Sequence, residues 1–195
     1  MITARAVDRH VEQLFEILQR LHSAFASANI PYRVVGGLGV FLQISQRNPL
    51  AARLTQDVDV AVNRSDLESI IEAVKPFGFK HRHVAGLDLP VDAIKPKTHS
   101  AVHFIFVRER VRPEHLEAVP DFSDPTVTEE GILLAPIRDL VRMKLTSFRL
   151  KDKVHPLDMD SVGFITPEME AGLPKALRER LEQVRNEEAQ STGAE

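Results

Sequence analysis

The sequence predicts a mixed α/β protein with a helical C-terminal region, and three observations indicate this fold class. Short apolar runs that suit strands alternate with segments of helical periodicity in the first part of the chain. After about residue 136 only helical segments follow. Apolar residues make up 43% of the 195 residues, which is ample for one core. We therefore expect an α/β (α+β) sheet core over residues 1–135, a helical region over 136–185 and a disordered tail over 186–195.

The first predicted elements flank a pair of glycines. Residues 9–26 repeat apolar side chains at helical spacing, residues 32–35 read as a short apolar strand, and residues 38–44 read as a helix. Gly36 and Gly37 stand between that strand and that helix. Glycine lets the backbone approach a ligand closely, and the free N–H groups at a helix start attract anions. This order of elements predicts a phosphate site, although an ordinary tight turn has the same signature.

Two aspartates lie on the next predicted strand, residues 54–62. Side chains alternate faces along a strand, so Asp57 and Asp59 are expected to share one surface. Paired carboxylates suit Mg²⁺ or Mn²⁺ bound beside substrate phosphates, whereas an exposed sheet edge is the structural alternative. A second Asp-x-Asp at Asp158 and Asp160 has no glycine turn before it, so the spacing alone decides nothing.

The remaining elements are predicted from caps, apolar runs and turn residues. Ser65 followed by Glu68 predicts a capping box for a helix that continues through Lys75. Pro136 predicts the first residue of a later helix. The other predicted segments are loops at 45–53 and 114–128, strands at 79–84, 101–107 and 131–134, an irregular hairpin region at 85–100, and helices at 136–149, 152–165 and 168–184.

Over about residues 32–160 the chain resembles the minimal nucleotidyltransferase superfamily. The matching features are Gly36-Gly37, Asp57-x-Asp59 and residues 140–158, which read LVRMKLTSFRLKDKVHPLD. The nearest branch that it resembles is the AbiEii-type toxins and their bacterial relatives. The resemblance implies a nucleotidyltransferase-like sheet flanked by helices, an NTP substrate and, as a candidate partner, an antitoxin.

Carried over residue by residue, the resemblance implies roles for five positions. Gly36 and Gly37 would hold the triphosphate, Asp57 and Asp59 would bind the metal, and Lys144 would contact a phosphate or the acceptor. Relatives transfer an NMP group to RNA, to proteins or to small molecules, so each of these is an expected acceptor.

One position departs from the superfamily pattern. Many active members place a third carboxylate on a later strand, and His103 stands at that position here. An imidazole is able to act as a general base or to bind a metal, and it also occurs as a hydrogen-bonded residue on a sheet face. Asp88 and Asp92 are substitute acids if their loop folds inward. The alternative to an enzyme is therefore a catalytically impaired protein that acts as a nucleotide-binding or toxin–antitoxin interaction module.

Lys144 interrupts the apolar stripe of its predicted helix. A buried ammonium group is costly, so Lys144 is expected either to extend to solvent or to meet an anion such as the triphosphate or the aspartate pair. Downstream, Asp152, His155 and Asp158 repeat every three residues, which fits metal ligands on one helical face. Pro156 instead predicts a helix start near His155, which favours capping for Asp152 or His155 and a hydrogen bond for Asp158.

Composition limits the partners and the compartment. The formal charge of −3 argues against a general affinity for nucleic-acid backbone. The absence of cysteine, of a long apolar run and of a signal-like start predicts a cytoplasmic protein without membrane contact. One local basic patch is the expected contact for RNA or triphosphate, with a solvated helix face as the alternative; it contains Arg138, Arg142, Arg149, Lys151 and Lys153. A metal-dependent nuclease built on the aspartate pair is less supported, because no acid-x-Lys element follows it.

Overall fold

The computed structural model describes residues 4–53, 55, 57–84, 87–92 and 102–193. It confirms the predicted fold class, since a mixed sheet flanked by helices is followed by a helical C-terminal region. The helices are α1 (Ala4–Ser27), α2 (Gly36–Arg47), α3 (Leu67–Val74), α4 (Ile137–Ser147), α5 (Leu150–Ser161), α6 (Pro167–Ala171) and α7 (Lys175–Thr192). The strands are β1 (Tyr32–Val35), β2 (Val58–Val62), β3 (Phe79–Val84), β4 (Leu87–Asp92), β5 (Val102–Phe106), β6 (Thr126–Val127) and β7 (Leu133–Leu134).

The main sheet has the strand order β5-β2-β1-β7-β6. Strands β1 and β2 run antiparallel, whereas β2 pairs with β5 and β1 pairs with β7 in parallel. Strands β3 and β4 form a separate antiparallel hairpin, so the region predicted to be irregular contains a regular strand. Asp88 and Asp92 belong to β4, and their side chains lie outside the described part of the structure, as do residues 93–101.

Apolar residues bury both faces of the main sheet. Val58, Val60 and Val62 of β2 belong to a core that also contains α1 and α3. Ala61, on the opposite face of the same strand, belongs to a second core with α4, α5 and α7. Because side chains alternate along a strand, Asp59 faces the same way as Ala61 and therefore points towards the C-terminal helices.

Strand β2 begins later than predicted. The expected strand started at residue 54, but β2 starts at Val58, so Asp57 precedes it. Both partner strands end near this point. The ladder with β1 stops at the pair Val35–Asp59, because Gly36 already begins α2, and the ladder with β5 starts at the pair Val58–Val102. Helix α2 then continues to Arg47, into the segment expected to be a loop.

The predicted capping box is wrong. Ser65 lies inside a 3₁₀ turn (Arg64–Asp66), and α3 begins at Leu67 without a side-chain cap. The side chain of Asn63 donates to Asp66 at 2.9 Å, and Ser65 Oγ donates to the same carboxylate at 3.2 Å. These local bonds hold the turn, so Ser65 is not available to cap the helix.

The C-terminal helices also differ from the prediction. Pro156 lies inside α5, which begins at Leu150, so no helix starts near His155. The predicted helix over 168–184 is two helices, α6 and α7, separated by Gly172-Leu173-Pro174. The tail expected to be disordered from residue 186 is helical to Thr192, since residues 187–190 are good helix formers. Among the described helices, none combines the length and apolar character needed to span a bilayer.

Candidate functional site

The glycine turn and the second aspartate meet directly. Gly36 has a φ of +66°, a conformation that suits glycine, and it is the first residue of α2. A Cβ atom placed on Gly36 would lie 1.9 Å from Oδ2 of Asp59 and 2.8 Å from its Cβ. The Asp59 carboxyl group therefore packs on the Gly36 backbone with no room for a side chain between them. The α2 start has no side-chain cap.

Asp59 also contacts His103 on the neighbouring strand. The two residues are direct partners in the parallel β2–β5 pairing, and Nδ1 of His103 lies 3.1 Å from Oδ1 of Asp59. Their side chains are about a quarter and a third exposed, at 24% and 32%. The hydrogen bond to Asp59 raises the pKa of His103 against the lowering effect of burial, and the charges of Asp59 and Asp57 add to the rise. This interaction holds the ring on the side of the sheet that faces the C-terminal helices.

Asp57 joins the site through its charge, although it lies one residue before β2. Its carboxylate raises the pKa of His103, as Asp59 does, so both acids act on the same imidazole. The strand alternation used to predict a common surface does not extend to Asp57, because the strand has not yet begun there.

Lys144 meets an anion, but the anion is neither of the two predicted aspartates. Its Nζ donates to Oδ1 of Asp152 at 3.0 Å, and the side chains of Lys144 and Asp152 are only 9% and 1% exposed. Ser147 and Arg149 also donate to Asp152. Burial lowers the pKa of Lys144, while the charges of Asp152 and Asp59 oppose that change. Burial would raise the pKa of Asp152, but its bonds with Arg149 and Lys144 outweigh that effect and lower the pKa.

An open cleft of about 650 Å³, including its solvent-facing mouth, connects these groups. Gly36, Asp59, Lys144 and Asp152 belong to its wall. The rest of its wall comes from β5, from the segment after β5 and from α4, and includes Ile105, Val111, Arg112, His115, Glu117, Val119, Leu140 and Met143. The cleft therefore places apolar surface beside Asp59, between the sheet and the C-terminal helices.

The other side of the glycine turn carries a histidine. A Cβ atom on Gly37 would lie 2.6 Å from Oγ1 of Thr55 and 4.0 Å from Cε1 of His155, so both side chains pack near this glycine. Nδ1 of His155 is buried and has no hydrogen-bond partner among the described residues. Burial, together with the positive charge of Lys144 and of nearby cations, lowers the pKa of His155 to about 4. The ring is therefore neutral at physiological pH.

The proposed metal triad on α5 does not form. Asp158 accepts from Nε of Arg53 at 2.8 Å, and Asp152 is bound by Lys144 and Arg149. Within the described ranges, no group of three or more His, Asp and Glu side chains is arranged to hold a metal ion. The hydrogen bond predicted for Asp158 is confirmed, whereas the cap predicted for Asp152 or His155 is not, because Arg149 precedes α5 and no side chain caps it.

Sequence reasoning missed two parts of this site. The partner of Lys144 is Asp152, eight residues later, and a buried lysine on an apolar stripe is a signal for such an acid on the next helix. The position of His155 beside Gly37 depends on how α5 packs against α2, and no local pattern indicates it.

Comparisons with known proteins give remote similarities in structure alone. No protein-family profile matches the sequence, and no curated protein matches it. The fold is similar to a solution structure of the antibiotic-resistance factor ANT(2'')-Ia, with 13% identity, 95% of this chain and 86% of that chain covered, and a TM-score of 0.47. A crystal structure of ANT(2'')-Ia in complex with adenylyl-2''-tobramycin is similar with 12% identity and a TM-score of 0.44, and the match covers 94% of this chain and 91% of that chain. A crystal structure of JHP933 from Helicobacter pylori is similar with 14% identity and a TM-score of 0.45, and the match covers 100% of this chain and 98% of that chain.

Proposed function

We propose that this chain is a metal-dependent nucleotidyltransferase that moves an NMP group from an NTP to a hydroxyl group. The observation that carries the proposal is the contact of Asp59 with the Gly36 backbone in the wall of an open cleft, with His103 hydrogen-bonded to Asp59 and the charge of Asp57 acting on His103. A phosphate-binding turn and a pair of acids are the two parts that this chemistry needs in one place.

The acid pair suits a divalent cation. Asp57 and Asp59 are the residues that would hold it, and the missing side chain at Gly36 leaves the backbone close to Asp59. Mg²⁺ is commonly held by one or two carboxylates together with water and substrate phosphates, so two protein ligands are enough. When bound, the cation would stabilise the negative charge that develops on the phosphates.

The chain's own residues would bind the phosphates and the nucleoside or acceptor, and would accept the hydroxyl proton. The N–H groups at the start of α2 face the phosphates, and the apolar cleft wall offers surface to the nucleoside or the acceptor. The acceptor oxygen forms a bond to the α-phosphorus, the bond from that phosphorus to the bridging oxygen breaks, and pyrophosphate leaves. His103, held through Nδ1 by Asp59, accepts the hydroxyl proton at Nε2.

A transfer assay tests the proposal. The protein is incubated with α-³²P-labelled NTPs, Mg²⁺ and, in separate reactions, cell RNA, cell protein and a small-molecule extract. We expect label on one acceptor class, lost in Asp57→Ala and Asp59→Asn. Glu68→Gln is the matched control, because this exposed carboxylate lies on α3, on the other side of the sheet. Absence of transfer to all three classes, or equal transfer by Asp59→Asn and the control, would contradict the proposal.

His103 favours a second candidate, an NTP-binding interaction module without transferase activity. It stands across from Asp59, at the position where the superfamily resemblance implies a third carboxylate. This candidate predicts NTP binding by calorimetry with no transfer, and retained cellular function in Asp59→Asn. The AbiEii-type branch, an RNA acceptor and an antitoxin partner stay predictions from the resemblance.

A further inference from the structure

Most of the basic patch on α4 and the start of α5 is neutralised within the protein. Each of its arginines, and both Lys144 and Lys153, has an acidic partner. The pairs are Arg138–Asp139 at 3.5 Å, Arg142–Glu117 at 2.9 Å, Arg149–Asp152, Lys144–Asp152 at 3.0 Å and Lys153–Glu187 at 2.9 Å. These cations are therefore committed, and Lys144 is in addition buried.

Lys151 is different. It is exposed on the first turn of α5, and its ammonium group forms no ion pair or hydrogen bond with any residue that the structure describes. Its positive charge nevertheless acts on His103 of the sheet and on His155 of its own helix. Lys151 and His155 are four residues apart, so they share one face of α5. Lys151 thus lies one helical turn before the histidine that packs near Gly37.

His155 marks the centre of this positive region. Its ring packs near Gly37, its buried Nδ1 has no partner among the described residues, and three cations act on it: Arg53, Lys144 and Lys151. Arg53 is held by Asp158 at 2.8 Å and Lys144 by Asp152, so Lys151 is the member of the three that is left to bind an added anion.

We infer that Lys151, and not Lys144, contacts the β- and γ-phosphates of the bound NTP, the part that leaves as pyrophosphate. The inference rests on the proposed function, and it reassigns the phosphate contact that the sequence resemblance places on Lys144. Lys144 instead holds Asp152 and so fixes α4 against α5. An exposed ammonium on a flexible stem reaches a phosphate without breaking an existing ion pair.

Calorimetry with α,β-methylene-ATP and Mg²⁺ tests this contact at low ionic strength, because that analogue binds without being transferred. Lys151→Ala is expected to weaken its binding about tenfold, as for loss of one charge-assisted bond. Lys151→Arg should retain binding within about threefold. AMP, which lacks the two outer phosphates, should bind to Lys151→Ala as it binds to the unaltered protein.

Lys75→Ala is the matched control, since it removes the same charge from an exposed lysine on the α1–α3 side of the sheet. Its affinity for the analogue is expected to stay unchanged. Equal affinities of Lys151→Ala and Lys75→Ala, in a protein that binds the analogue, would overturn this inference and leave the proposed function standing. Failure of the unaltered protein to bind this analogue and the corresponding analogues of the other three NTPs would overturn both.

Discussion

Replacing Gly36 with alanine tests how closely the carboxyl group of Asp59 packs against the glycine turn. Gly36→Ala places a methyl group in a left-handed conformation, which costs about 1–2 kcal/mol, and only 1.9 Å from Oδ2 of Asp59. The carboxyl group has to swing away and lose its bond to His103. Because that pair is partly exposed, we expect the loss to cost a further 1–2 kcal/mol or so.

Gly131→Ala is the control that separates the steric clash with Asp59 from the backbone strain of a positive φ. Gly131 has a φ of +81°, but a Cβ there would lie 3.6 Å from Nε2 of His22, which is ordinary contact. In urea unfolding followed by circular dichroism, Gly36→Ala should lose about 2–4 kcal/mol and Gly131→Ala about 1–2 kcal/mol. Proton NMR should also show the pKa of His103 falling in Gly36→Ala alone. Equal losses for the two variants, with an unmoved His103 pKa, would refute the reasoning.

Three further predictions concern the charged groups. Asp59→Asn removes the negative charge that helps to raise the pKa of His103, so NMR titration should show that pKa falling. Since the pKa of His103 is raised in the folded state, its pair with Asp59 stabilises the protein fully below about pH 6.5, and the stabilisation is lost as pH rises through the folded pKa. An unmoved pKa of His103 in Asp59→Asn would contradict this prediction. The stability contributed by His155 depends on pH in the opposite direction. Its pKa of about 4 lies about 2.5 below the unfolded value, so about 3 kcal/mol of stability is lost as pH falls from about 6.5 to 4. His155→Gln should remove that loss in urea midpoints measured across this range, and a variant with the same pH slope as the unaltered protein would argue against it. Lys144→Met leaves Asp152 with two of its three donors and should cost about 2–3 kcal/mol, while the double variant Lys144→Met/Asp152→Asn should cost less than the sum of the single changes in thermal unfolding; additive losses would exclude the coupling.

The sequence predicts the sheet core well because its elements have strong local signals. The amphipathic pattern before the glycines and the apolar runs of β1 and β5 depend on periods that the sequence displays. The end of a strand depends on its partners, and β2 starts at Val58, where its pairing with Val102 of β5 begins, and not at residue 54. The prediction of a helix start at Pro156 fails for a related reason. Helix α5 continues through Pro156, and ion pairs fix it on both sides: Asp152 pairs with Lys144, and Asp158 pairs with Arg53. Arg53 is distant in sequence, so no local pattern indicates this pair.

The sequence indicates which residues to consider at the candidate site better than it indicates their contacts. Gly36, Asp59 and His103 contact one another, and the charge of Asp57 acts on the same histidine. For Lys144 the sequence leaves extension to solvent and an anionic partner open; the structure has an anionic partner, but it is Asp152 and not the triphosphate or the aspartate pair. Helix packing decides which acid a buried lysine meets, and packing angles are not encoded in any short motif.

The three-strand register has a consequence for how this protein tolerates insertions. Val35, Asp59 and His103 lie side by side across β1, β2 and β5, with the turn at Gly36 immediately after the first of them. Adding one residue to β2 before Asp59 would turn the carboxyl group to the opposite face of the sheet, into the packed valine layer. The position of Asp59 beside Gly36 and His103 therefore depends on the exact length of β2, and it would be lost with a single inserted residue.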